Sequence, residues 1–515
     1  MQDEQTGWTV TLNLPAPSLD DNRADADRLK AALSSTFNID AVDIQLSLLK
    51  KLPARLREWD YQVRCLCFND YGLLRLVGIK APSDPLPFYG LAVDLGTTRV
   101  VFRLINLDTG EATAEQAFDN PQIEIGPDIL ERIHYADTDG GLDRLNRLII
   151  DGFQANIAAI CRSADIREQD IYFMAVAGNT SMVHLFMGLF PGGIIREPYI
   201  PVVNRPGLIP AASLGIDIHP DAGVFVFPNV GSYFGGDLIS GILYSELHER
   251  DDIAMLVDVG TNAEVVLGNR DWLVVCAGAA GPALEGGVSR IGMTAGPGVI
   301  DQVWIDSENR RFDIHTIEDQ PPRGICGSGM IDLVAQLFLA GLLDIRGRLV
   351  PDAHPERIYE FDGERRLVIV AAENSATGEA LTLGQADFDS LIRSKAAMYT
   401  ILETITQYVG VTFNDITRFY VAGTFGSFIR PRSAITIGMI PDLPEDTYQP
   451  LGNSSLGGAA RLLQESAAMA AVQGIYQNIT YLELNVNQEF MNRFSAAKFL
   501  PHTEADHFPS VRQSN

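Results

Sequence analysis

LAVDLGTTRVVFRLINLDTGE at 91–111 and MLVDVGTNAEVVLGNRDW at 255–272 are one pattern written twice. Each is an apolar run, an Asp, a Gly and a Thr, then a second β-rich run that ends in a turn. Asp94, Gly96 and Thr97 correspond to Asp258, Gly260 and Thr261. A second pair follows in the same order, AVAGNTSM at 175–182 and YVAGTFGSF at 420–428, each an apolar strand that ends in a glycine before a helix. Two motifs recurring in order predict two α/β halves related by duplication. The interval between the motifs is longer in the second half, so an insertion is expected between about 300 and 385. The halves are drawn at 91–254 and 255–515.

The repeat has the chemistry of a phosphate clamp. The apolar run supplies a buried strand, and the glycine allows a tight hairpin to approach a phosphate closely. Backbone N–H groups and the hydroxyls of Thr97 and Thr98 can donate to phosphate oxygens. Asp94 at the strand end suits a Mg²⁺ ion held through water, because Mg²⁺ gives up its waters reluctantly. Asp258, Gly260, Thr261 and Asn262 would do the same from the other half, giving a site gated by closure. One such Asp hairpin is weak evidence; two copies, each followed by Val-Ala-Gly, are strong evidence.

Further candidates follow from these anchors. Gly423, Thr424 and Gly426 are expected beside adenosine, and Gly178, Asn179 and Thr180 nearer the phosphates or a second substrate. ICGSGMIDLVAQLF at 325–338 is a glycine-rich turn opening a helix, so Gly327, Ser328 and Gly329 are candidates for an anionic or ribose contact, or an ordinary helix start. Asp237, in NVGSYFGGDLISGIL, is either a Mg²⁺-associated or catalytic carboxylate or a helix cap. Glu264, within the second hairpin, either positions the attacking water or is a solvated strand residue. The glycine-dense stretch 276–298 reads as a loop for close approach to a ligand or partner, or as a packed crossover.

Composition bounds the rest. A chain of 515 residues, 46% hydrophobic and 20% charged, suits a folded protein of several domains. A net charge of −27 argues against nucleic acid as partner. No run approaches the roughly 18 apolar residues of a membrane span, and MQDEQTGW has no basic-then-apolar leader. Five scattered cysteines predict a reducing compartment and no disulfide framework, so the cytoplasm is the expected location. Cys65 and Cys67 share a strand face, which allows a soft-metal site but reads first as packed thiols, and no iron–sulfur cluster is expected. The eight histidines show no ligand spacing, and His502 and His507 read as surface residues. Alternation over 8–18, a charged helix capped by Asp20 or Asp21, and two more strands predict a small α+β domain over 1–80. KAPSDPLPFYG then reads as a linker at 81–90.

Taken together, DLGTT at 94–98, NPQ-x-x-x-G-x-D-x-x-x-RI at 120–133, AGNTSM at 177–182, DVGTNAE at 258–264, GPALEG at 281–286, GICGSG at 324–329 and VAGTFGSF at 421–428 resemble the reductive activators of corrinoid proteins. These are ATPases of the acetate/sugar kinase, Hsp70 and actin superfamily, and LNLPAPSLDDNRADADRL at 12–29 is similar to their small middle domain. The resemblance implies a duplicated actin/Hsp70/sugar-kinase-like, ribonuclease H-like core. It implies binding of ATP and Mg²⁺, and return of a corrinoid partner from Co(II) to Co(I). Typical members carry an N-terminal [2Fe–2S] ferredoxin-like domain. None is read here: either the chain works with a separate low-potential ferredoxin-type donor, or it is a truncated form; a homodimer is the expected assembly. A small-molecule kinase with Asp237 or Glu264 as base, or a non-redox ATP-dependent interaction protein, are the competing readings.

Overall fold

A computed structural model of the chain describes residues 7–260, 263–278, 289–306, 310–354, 356–361, 363–423, 429–484 and 488–511. Thr261, Asn262, Thr424, Gly426 and the GPALEG segment therefore lie outside the described residues. The chain divides into two compact units, 1–246 with 454–478, and 247–453 with 479–515. The boundary drawn from the sequence, 255–515 for the second half, is thus interrupted, because 454–478 folds into the first unit. Its helices bury Leu456, Leu462, Met469 and Val472, so an amphipathic segment far along the chain completes the earlier core.

The first unit begins with β1 (Thr9–Asn13), α1 (Asp25–Phe37), β2 (Ala41–Ile44), α2 (Leu46–Glu58), β3 (Gln62–Asp70) and β4 (Leu73–Lys80). The four strands form one sheet in the order β1-β3-β4-β2. Both helices bury a leucine stripe, Leu29 and Leu33 from α1 and Leu48, Leu52 and Leu56 from α2, against that sheet. Helix α1 begins at Asp25 with Ala24 at its N-cap, not at Asp20 or Asp21. Asp21 instead pairs with Arg23 and with the buried Arg28, and those two guanidinium groups hold its carboxyl well below the usual range. Cys65 and Cys67 lie in the same apolar cluster and burial raises both thiols, so they are packing groups.

The rest of the first unit is built on β5 (Tyr89–Leu95), β6 (Arg99–Asn106) and β7 (Ala112–Asp119), an antiparallel meander. Helices α3 (Ile129–Ala136) and α4 (Gly141–Ala164) lead to β8 (Ile171–Gly178), and α5 (Thr180–Phe186) follows. Then come β9 (Gly207–Pro210), β10 (Gly223–Val226) and α6 (Gly236–Ser245). The sheet order is β7-β6-β5-β8-β10-β9, with β5, β8 and β10 parallel. All eight residues of β8 are buried, as a central parallel strand requires.

The second unit repeats this plan. Strands β11 (Ala254–Val259), β12 (Ala263–Gly268) and β13 (Leu273–Gly278) form the meander. Between it and the next core helix lie β14 (Val299–Ile305), β15 (Phe312–Thr316), β16 (Gly324–Ile325), α7 (Gly327–Leu339), β17 (Ile358–Phe361), β18 (Glu364–Val370) and β19 (Leu381–Gly384). These strands make two separate three-stranded sheets. The core resumes with α8 (Gln385–Val409), β20 (Arg418–Ala422), α9 (Pro431–Thr436) and β21 (Tyr448–Gly452). Helices α10 (Ser454–Gln464) and α11 (Ala468–Asn478) belong to the first unit; β22 (Ile479–Tyr481) and α12 (Gln488–Ala497) return to the second. The sheet order is β21-β20-β11-β12-β13-β22. With β11 matched to β5, β20 to β8 and β21 to β10, five strands have the same neighbours and directions in both units. This is the duplication that the repeated motifs predicted.

Helix α10 lies against α6 through two glycines. A Cβ on Gly458 would fall 2.0 Å from the Ser240 carbonyl oxygen and one on Gly457 would fall 2.5 Å from the Tyr244 ring, so no side chain fits at either place. The Ser240 hydroxyl donates to the Ser455 carbonyl, and the buried Trp8 indole donates to the carbonyl of Leu462. The segment between α12 and the C-terminus is also packed. Lys395 of α8 is fully buried and its ammonium donates to the carbonyls of Phe499 and Pro501. His502, expected at the surface, is buried beside Tyr399 and stacks on His507.

Candidate functional site

In the first unit the candidate groups gather at the carboxyl ends of the parallel strands β5 and β8, where open α/β sheets place their ligands. Asp94 is the penultimate residue of β5, half-buried and paired in register with Ala177 of β8 and Val101 of β6. The chain turns at Gly96, where a Cβ would stand 2.3 Å from the Arg99 carbonyl oxygen; only glycine fits this hairpin. Gly178 ends β8, its missing Cβ facing the Leu95 carbonyl at 2.8 Å.

Two asparagines hold the turn. Asn120 donates from its backbone N–H to the Thr98 carbonyl at 2.8 Å and from its amide to the Gly96 carbonyl at 3.0 Å. Asn179 is the N-cap of α5: its side-chain oxygen accepts from the Met182 N–H at 2.9 Å and its amide nitrogen donates to the Thr97 hydroxyl at 3.0 Å. The capping bond fixes which end of the amide faces Thr97. Since the Thr97 oxygen already accepts a proton, its own O–H is left to donate elsewhere, which is what a phosphate contact needs. Asp237, the second residue of α6, joins the same cluster. A Cβ on Gly235 would be 2.5 Å from both the Asp237 Oδ1 and the Asn179 Cα, and that Oδ1 accepts from the Leu238 N–H. Asp94, Thr97, Asn179 and Asp237 are thus presented together, with Thr98 exposed at the turn. Thr180 is not: it is 2% exposed and its hydroxyl donates to the Gly231 carbonyl, a packing role.

The second unit places Asp258 at the matching point of β11, in register with Ala422 of β20. Gly423 follows with φ of +82°, and a Cβ there would stand 3.0 Å from the Asp258 Oδ1. The two hairpins are not copies, however. Leu95 pairs with Val100 across the first, whereas Val259 pairs with Ala263 across the second, which is one residue shorter. In consequence Glu264 lies directly across from Asp258, where the first unit has Val101 opposite Asp94. Two carboxylates directly opposite repel one another in a bare sheet, and a divalent cation is the ordinary means of relieving that repulsion. Asp258 and Glu264 share one face of the sheet at the start of the second hairpin.

The Gly327, Ser328 and Gly329 turn has a packing explanation. All three are buried, Gly329 lies against the Ile300 carbonyl with 2.3 Å to a notional Cβ, and Ser328 pairs with the Cys326 sulfur at 3.2 Å. The role of Asn120 was not read from the sequence, although its Asn-Pro pair signals a capped turn. It caps the short helical turn that follows, accepting from the Gln122 N–H at 3.0 Å. Among the described residues no cluster of three or more metal-ligating side chains occurs, and no helix is long and apolar enough to cross a membrane.

The doubled five-strand plan with an Asp hairpin in each copy defines a duplicated actin/sugar-kinase-like core. Residues 252–512 match the C-terminal ASKHA domain of RACo, 89–250 the RACo middle region and 7–84 the RACo linker region. The chain belongs to the RACo family. In that scheme 7–84 is the linker region, and the middle region is the 89–250 half, which corrects the assignment of 12–29 to a middle domain. The chain is 30% identical over 424 residues to the corrinoid activation enzyme RamQ of Eubacterium limosum, covering 81% of this chain and 71% of that one. It is 24% identical over 435 residues to a [Co(II) methylated amine-specific corrinoid protein] reductase of Methanosarcina barkeri, covering 78% and 75%. A solved reductive activator for corrinoid,iron-sulfur protein superposes with a TM-score of 0.86 at 38% identity, covering 99% of this chain and 82% of that one.

Proposed function

We propose that this chain is an ATP-dependent reductive activator. It binds Mg·ATP through its two Asp hairpins and uses binding and hydrolysis to favour one-electron reduction of a corrinoid partner from Co(II) to Co(I). The reading rests on one observation: in a chain of the RACo family, matching five-strand sheets each carry an Asp at the carboxyl end of the central strand beside a glycine-bounded turn. Thr97, Thr98 and the turn amides contact phosphate, while Asp94 and Asp258 hold Mg²⁺ through water. Glu264, set opposite Asp258, orients the attacking water, and Asp237 beside Asn179 is the further carboxylate of the site. The metal supplies charge neutralisation and orientation of the phosphates.

The electron comes from a separate low-potential ferredoxin-type donor, and the chain acts as a homodimer. For a one-electron couple, about 59 mV changes the equilibrium tenfold. Nucleotide helps only if it binds the competent partner-bound state more tightly than the other. The test follows Co(I) formation spectroscopically with a Co(II) corrinoid protein and a low-potential donor, with and without Mg·ATP. Asp94→Ala and Asp258→Ala should abolish both turnover and reduction. Hydrolysis indifferent to every corrinoid protein, together with phosphorylation of a metabolite, would overturn the reading.

A further inference from the structure

Behind the first hairpin lies a buried polar network that the proposed reaction has not used. Asn120, Gln122 and Arg132, all from the NPQ-x-x-x-G-x-D-x-x-x-RI segment, are each no more than 1% exposed. Arg132 donates through Nε to the Gly126 carbonyl at 2.8 Å and through Nη1 to Gln122 Oε1 at 3.4 Å. Gln122 donates to the Leu145 carbonyl and its backbone N–H is held by Asn120. Asn120 in turn holds the carbonyls of Gly96 and Thr98. Both Asn120 Nδ2 and Arg132 Nη1 also meet the Met182 sulfur, at 3.9 and 3.5 Å, in the first turns of α5.

We propose that Arg132 is a positioning residue for the Asp94 hairpin, its buried charge biasing the turn that Gln122 and Asn120 hold toward the phosphates of a nucleotide. This inference rests on the nucleotide-binding reading above. The peptide plane carries the first part of the argument. In a trans peptide the C=O of Gly96 and the N–H of Thr97 point in opposite directions. With the Gly96 oxygen drawn inward to Asn120, the Thr97 N–H must face away from the network, on the side where an anion can be met.

Charge carries the second part. A buried guanidinium is costly unless paired, and among the described residues this one donates to neutral acceptors: a carbonyl, an amide oxygen and a thioether. Its Nη2 has no hydrogen-bond partner among the described residues. Asp128 is the neighbouring negative charge that favours its protonated form, but the Asp128 carboxylate is engaged in capping α3 through the Glu131 N–H. Burial lowers its pKa to about 10, so it stays cationic at neutral pH. A positive charge kept in a low-dielectric interior acts over longer distances than one in water. An anion on the outer side of the turn would add a second counter-charge to that of Asp128.

The experiment compares dissociation constants for ATP and for adenosine by calorimetry. Arg132→Gln removes the charge. Gln122→Glu keeps the arginine but neutralises it with a carboxylate of the same size, which guards against a folding failure in the first variant. Both should weaken ATP about tenfold relative to adenosine, a ratio that the stability lost with the Gly126 and Leu145 hydrogen bonds does not move; Arg132→Lys should hold ATP within about threefold of wild type. An unchanged ratio of ATP to adenosine affinity in both neutral variants would overturn the inference, as would Arg132→Lys behaving like Arg132→Gln. Asp94→Ala separates the two levels. If it leaves ATP affinity intact, the nucleotide-binding reading fails and this inference with it.

Discussion

Asn179 performs two tasks with opposite ends of one amide, and replacing it by Asp separates them. The carboxylate keeps the oxygen that accepts the Met182 N–H, and Asp is about as good an N-cap as Asn, so stability should change by less than about 0.5 kcal/mol. The other end changes from a donor to a charged acceptor facing the Thr97 hydroxyl. Thr97 would then turn its proton toward residue 179 and away from phosphate. A carboxylate roughly 8 Å from one phosphate charge, at an effective dielectric constant of about 20, costs about 2 kcal/mol. That corresponds to roughly thirtyfold in Kd for Mg·ATP. Asn179→Ala is the counterpart: it loses the cap and the hydroxyl contact, about 1 kcal/mol each, and should therefore be less stable. Thermal denaturation and calorimetric titration of both variants decide the matter. Wild-type ATP affinity in Asn179→Asp, or stability and affinity falling in parallel in that variant, would refute the geometry given to Thr97.

Gly423→Ala should lose about 1–2 kcal/mol of stability in thermal melts, because φ is +82° there and the new methyl presses on the Asp258 carboxylate; ATP hydrolysis should fall further than stability does. Asp21→Ala should lower the urea midpoint, since it strips the partly exposed partner from the buried Arg28. Burial lowers His502 from 6.5 to about 4, and His219 likewise. The unfolded chain then binds more protons than the native one between those values, so stability should fall as pH drops from about 6.5 toward 4. Each histidine contributes a slope of up to about 1.4 kcal/mol per pH unit. In His502→Asn, denaturant titrations across that range should show a shallower slope; an unaltered slope would show that His502 is not among the groups responsible.

The fold was legible because its signal was duplicated. DLGTT and DVGTN each close an apolar run with an Asp and a glycine, and the matching strand neighbours of β5 and β11 follow from that pattern. What escaped was whatever depends on register or on distant partners. The one-residue difference between the hairpins, which brings Glu264 opposite Asp258, comes from pairing and not from residue identity. Thr180 read as a ligand contact, and Gly329 as a ligand contact or an ordinary helix start, because small residues serve both ligands and tight packing, and composition does not separate those uses. His502 looked exposed beside Thr503, Glu504 and Asp506, which follow it; its burial depends on Tyr399 and Lys395, about a hundred positions earlier. The assignment of 454–478 failed for the same reason, as an amphipathic helix shows that it has a partner but not which one.

That last segment has a consequence for biosynthesis. Gly90 of β5 lies against Leu463, Ser240 against Gly458, and Trp8 against Leu462, so the first 246 residues emerge from the ribosome without the helices that close their core. A further 207 residues, 247–453, must be made before α10 appears. Domains usually fold as units in the order of their synthesis, but here the nascent first unit waits, with apolar sheet surface uncovered, until residue 478 is clear of the exit tunnel. The intervening unit is left unfinished too, since its last stretch, 479–515, is made only after the helices that close the first. A chain stalled or cleaved before 454 would therefore expose the surface that chaperones bind, even with every residue of its first Asp hairpin intact.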